Sequence, residues 1–158
     1  MVDMIQVRSA TGITISLFSR TIPLKKVWSK RGAIVNIERD KLVQAFFETN
    51  LPLLLRQGKL VIEDKKFLYE VGFLVSEDED IGVIELTPNL MKRCISVMPI
   101  HELAETMKKL SRDQIRELAE YAVENNGDLK MDRIDLLTKA SGKNVLKAIE
   151  QYKADQEG

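Results

Sequence analysis

Apolar positions along this chain change period once. Before residue 87 they alternate in short runs; from Thr87 onward they recur every three to four residues. Ile5 and Val7 alternate with Met4, Gln6 and Arg8, and Ile13, Ile15 and Leu17 alternate with Thr14, Ser16 and Phe18. Period two is the mark of strands with one buried face. The link from Ser9 to Gly12 is hairpin-length and Gly12 can supply a positive φ, so the two runs are expected to open the chain as a β-hairpin. A third strand starting near Thr21 is cut short by Pro23, which lacks an amide donor and predicts an edge or a loop. Residues 33–37 read as a short strand. Asp40 reads as the N-cap of a helix over 41–48 that Asn50 ends. Pro52 then suits the first turn of a short helix over 53–57, with Gly58 just past its end. Residues 59–62 read as a strand, 63–66 as a turn and 67–71 as a strand pairing back. After the break at Gly72, an acidic loop spans 76–80 and a last strand spans 81–86.

The second half is helical by pattern. Thr87 can cap a helix that Pro88 begins, with Leu90, Met91, Cys94 and Ile95 on one face. Pro99 starts another, with Leu103, Ala104, Met107 and Leu110 on one side. Ser111 and Gln114 have capping-box spacing, in which each side chain can satisfy an amide the helix leaves open. Ile115, Leu118, Ala119 and Ala122 follow as one apolar stripe, and Gly127 is read as the left-handed residue that closes this helix. Helices over 131–140 and 144–153 are separated by Ser141 and Gly142, and the last five residues are expected to fray. Strands first and helices afterwards make an α+β protein: a β-rich domain with one or two short helices over residues 1–86, then four to five short helices over 87–158.

Composition bounds the chemistry. At 44% hydrophobic and 30% charged, the chain can build a core and is not of the disordered class. One cysteine, Cys94, excludes an internal disulfide. The first residues carry no basic region and no long apolar run, so no signal peptide is expected. No stretch approaches the ~20 apolar residues of a membrane span, so the expected location is cytoplasmic with no membrane partner.

The net charge of zero hides an uneven layout. Residues 1–62 carry ten cations against four acids, residues 63–86 carry two against eight, and the helical half is balanced at twelve each. Five of the cations, Arg20, Lys25, Lys26, Lys30 and Arg31, fall within residues 20–31 with no acid and with one aromatic, Trp28. Glu77, Asp78, Glu79 and Asp80 form the opposing cluster. A basic front and an acidic middle invite a head-to-tail contact between copies, which gives rings when the rotation closes and filaments when it does not. The alternative is that the two zones lie together in the fold and neutralise each other. A second functional reading is nucleic-acid binding, with Trp28 as a stacking platform among the cations. Against it, the isoelectric point is about 6.6, whereas nucleic-acid-binding domains are usually basic.

Catalytic and cofactor readings fail on inventory. The single His101 lies beside Glu102, but a catalytic zinc needs three protein ligands and no second histidine exists. Cys94 and His101 would be a nucleophile pair only if brought together, and Cys94 sits on an apolar face. Ser141-Gly142-Lys143 resembles the end of a phosphate loop but lacks the upstream glycine and the preceding strand. No cofactor or metal is expected, and the chain is read as a non-enzyme.

The run from Ser29 through Gly32, Ala33, Ile34, Val35, Asn36 and Ile37 to Leu42, with Thr138 to Val145 near the end, resembles small proteins of tailed bacteriophages. That resemblance implies strand-rich N-terminal halves followed by short helices. It also implies a virion or assembly role, with many copies touching one another or a capsid, neck or tail protein in host cytoplasm and virion. The expected partners are therefore proteins, by self-association or within a larger assembly.

Overall fold

The computed structural model describes residues 3–21, 23–76, 83–127 and 129–157. The fold is α+β, with strands in the first half and helices through the second. The chain divides into two compact units, Met1–Glu85 and Leu86–Gly158.

The N-terminal unit is built on two small sheets. β1 (Met4–Ser9) is the middle strand of one, between β4 (Ile34–Glu38) and β5 (Leu60–Val61), antiparallel to both. β2 (Ile15–Ser19) and β3 (Leu24–Trp28) form the other, a separate hairpin. The expected opening hairpin is therefore corrected: β1 does not pair with β2. Gly12 has no positive φ, and the Ser9 hydroxyl instead accepts from Thr11 N. The backbone of Ser9 is taken by Ala33 and Gly32, and Ala10 N donates to Lys59 O. The hairpin forms one step later, and Pro23 falls in its turn, where a missing amide costs nothing.

Helices fill the connections. α1 (Arg39–Glu48) follows β4 directly, with Glu38 rather than Asp40 at its N-cap; Asp40 lies in the first turn, where its charge suits the helix dipole. α2 (Leu51–Arg56) carries Pro52 in its first turn and closes at Gly58, φ 73°. Residues 67–71, expected as a strand, belong to α3 (Lys65–Glu70). Asp64 makes it helical, accepting from Phe67 N at 3.1 Å, and Gly72 at φ 82° lets the Phe73 and Leu74 amides reach the Leu68 carbonyl. No strand is present over 83–86; residues 77–82, including the start of that expected strand and most of the acidic loop, lie outside the described residues. The core runs from Ile5, Val7 and Leu17 through Trp28 and Ile37 to Leu42, Leu55 and Phe67. Each such side chain buried contributes roughly 1.5–3 kcal/mol. Phe46 meets Phe67 and Phe73 edge-on at 5.7 and 6.1 Å, a geometry aromatic rings favour.

The C-terminal unit contains α4 (Pro88–Ile95), α5 (Ile100–Lys108), α6 (Arg112–Glu124), α7 (Met131–Ser141) and α8 (Val145–Glu157). Thr87 caps α4 by accepting from Leu90 N, and both halves of the Ser111–Gln114 capping box are formed. α6 ends at Asn125, whose side chain donates to the Tyr121 carbonyl, so Gly127 is not its left-handed closer. Gly142, φ 76°, closes α7 instead, and the final helix stays regular to Glu157 rather than fraying at 154. Arg133 is buried among these helices and donates to the carbonyls of Cys94 (2.8 Å) and Met98. It supplies donors where the end of α4 leaves acceptors open.

Candidate interaction surface

The β2–β3 hairpin carries the first half of the basic segment, and its register decides which side chains face outward. Ile15 pairs with Trp28, Leu17 with Lys26 and Ser19 with Leu24; these positions face the core, although Lys26 reaches half out. Ser16, Phe18, Lys25 and Val27 stand on the opposite face. Phe18 is 56% exposed directly across from Lys25, and Val27 is 47% exposed across from Ser16. The turn is fixed by its own hydroxyls: Thr21 N donates to Ser19 Oγ at 3.3 Å, and the Thr21 hydroxyl donates to the carboxylate of Glu48 at the end of α1.

The predicted cations separate into two groups. Arg20, Lys25 and Lys30 are exposed and make no ion pair among the described residues. Arg31 turns inward, and one guanidinium nitrogen donates to the Ala10 carbonyl at 2.7 Å. It works there as a brace for the loop after β1. Trp28 is fully buried, and its indole N–H donates to the Val7 carbonyl at 2.9 Å. A ring enclosed on both faces offers no base a stacking surface, which corrects the expectation for that residue. Glu77, Asp78, Glu79 and Asp80 lie outside the described residues, so the acidic half of the expected pair has no geometry to set beside the hairpin.

Phe18 and Val27 were not among the predicted contact residues. Their signal was present: Phe18 falls on the polar side of the β2 alternation, out of place for a core aromatic. Ile13 is likewise exposed, ahead of β2 rather than on its buried face.

A second polar feature lies across the other sheet. Arg8 on β1 makes a two-pronged contact with Glu85, at 2.7 and 2.9 Å, and reaches Glu63 at 3.2 Å. The hydrogen bonds it donates to Glu85 hold its guanidinium above its ordinary pKa. Beside it an open groove of about 410 Å³ is lined by Met4, Gln6, Ile34 and Val61.

The remaining candidates have structural explanations. Cys94 is buried on α4, and burial pushes its thiol up to about 11, away from the thiolate a nucleophile requires. His101 is exposed in the first turn of α5. No group of three potential metal ligands occurs among the described residues. Gly142 and Lys143 form a helix break, with Lys143 3.6 Å from Glu120. No helix among the described residues is long and apolar enough to cross a membrane. No protein-family model, curated protein or solved structure matches this chain.

Proposed function

We propose that this chain is a non-enzymatic assembly protein that works through protein–protein contacts, as a capsid, neck or tail component of a phage-like particle. The observation that carries the contact reading is the outer face of the β2–β3 hairpin. Phe18 and Val27 stand exposed there beside Lys25, on a strand pair whose other face is committed to the core. A surface of apolar groups rimmed by exposed cations suits a protein partner that supplies apolar area and carboxylates. The resemblance of residues 29–42 and 138–145 to small tailed-phage proteins supplies the virion half of the reading. The partner of that face is a second copy, whose acidic cluster at residues 77–80 complements the cations in charge.

The test is charge reversal read by light scattering over a range of protein concentration. Converting Arg20, Lys25 and Lys30 to Glu lowers the mass in solution, and converting Glu77, Asp78, Glu79 and Asp80 to Lys does the same. Combining the two sets restores it. Arg31 and Trp28 are left alone because both hold the fold. Equal masses in all variants overturn the head-to-tail contact. Nucleic acid that co-purifies, stays bound above ~200 mM salt and is released by the basic-side reversal would instead favour the nucleic-acid reading.

A further inference from the structure

β4 is an edge strand, and its outer edge is open. The ladder with β1 is bounded by bonds from Ser9 N to Ala33 O and from Arg39 N to Asp3 O, each 2.9 Å. Antiparallel bonds alternate, so Val35 and Ile37 turn both backbone groups toward β1, as Ala33 does its carbonyl and Arg39 its amide. Ile34, Asn36 and Glu38 turn theirs away. Among the described residues no other strand pairs with β4, and neither Ile34 nor Asn36 has a further hydrogen-bond partner. Folded proteins usually blunt such an edge with lysine, proline, a bulge or a covering segment. From Ala33 to Ile37 this one has neither a charge nor a proline, and Ile34 is 55% exposed.

We infer that the outer edge of β4 pairs antiparallel with β4 of a second copy, joining two three-stranded sheets into one of six. Open amides and carbonyls in a row require an extended chain, and β4 offers the same row to its own copy. Two-fold symmetry about an axis normal to the sheet allows only registers in which paired residues share a face. Ile34 opposite Asn36 of the second copy is the register that uses both fully open residues. It leaves out Glu38, whose carbonyl serves the first turn of α1 as its N-cap. Val35 then meets Val35 of the second copy at the two-fold axis, as a close pair without hydrogen bonds. This inference rests on the self-association reading but uses a different surface. A two-fold contact at β4 together with a head-to-tail contact at the hairpin would build paired rings or filaments from one chain type.

Val35→Cys is the direct test, because a close antiparallel pair lies ~4.5 Å apart at Cα, within disulfide reach. Under mild oxidation it should yield a covalent dimer, while Cys94, being buried, gives no background in the parent chain. Asn36→Pro removes an amide that makes no bond within the fold and should abolish that crosslink in the Val35→Cys background. Ile34→Lys places a blunting charge on the edge and should weaken it, which covers the case in which the proline variant does not fold. Absence of the crosslink at concentrations where light scattering shows a dimer overturns the edge pairing and leaves the hairpin contact standing. So does a folded Asn36→Pro variant that still crosslinks. A chain that stays monomeric at every concentration overturns both.

Discussion

Arg8 in the N-terminal unit and Arg133 in the C-terminal unit each join segments far apart in sequence, but against different partners. Arg8 sits a quarter exposed on a strand and takes carboxylates, Glu85 by both oxygens and Glu63 by one. Arg133 is buried and takes only backbone carbonyls, at the end of α4 and in the loop beyond it. A sheet unit leaves charged side chains at its rim, where water still competes for them. A helical unit leaves carbonyls inside, where water does not. The same side chain is therefore a salt-sensitive latch in one unit and a structural plug in the other. Trp28 resembles the second type, since its indole N–H also serves a buried carbonyl.

Four substitutions would break or sharpen that comparison. Trp28→Ala should have the largest effect, about 4 kcal/mol by denaturant unfolding, because a fully buried ring is replaced by a void. Trp28→Phe should cost only ~1–2 kcal/mol, the part owed to the bond with Val7 O and the smaller ring. Arg133→Met keeps much of the volume but leaves the Cys94 and Met98 carbonyls without donors. It should cost about 3 kcal/mol, and the loss should be the same in low and high salt. Glu85→Gln should cost least, about 1 kcal/mol at low ionic strength, shrinking in ~1 M salt as screening sets in. If the order of the last two reversed, or if salt moved both equally, the distinction between plug and latch would fail.

The two units also differ in how far their sequence announced them. The helical unit was legible because its signals are local. Thr87 with Pro88, Ser111 with Gln114 and Gly142 each act within one turn, and each occupies its expected place. The miss at Gly127 was of the same scale: Asn125 bonds back to Tyr121 and ends the helix two residues early. In the sheet unit the deciding bonds are distant. Nothing near β1 says that its partners are β4 and β5, so adjacency suggested β2 instead. α3 was missed because six residues hold under two turns, too few for Phe67, Leu68 and Val71 to display a helical period. The hairpin surface was half legible. Charge density located Arg20, Lys25 and Lys30, but composition cannot tell a solvated tryptophan from a buried one, and the register that enclosed Trp28 is non-local.

The placement of β1 has a consequence for how the chain is made. β1 leaves the ribosome before β4, and Ile5 pairs with Ile37, so the strand lacks this partner until about thirty further residues have emerged. The β2–β3 hairpin, joined by a short turn, can form in microseconds while β1 waits. β1 is thus set in place after the hairpin that follows it, and closing the intervening loop is the kind of non-local step that raises contact order and slows folding.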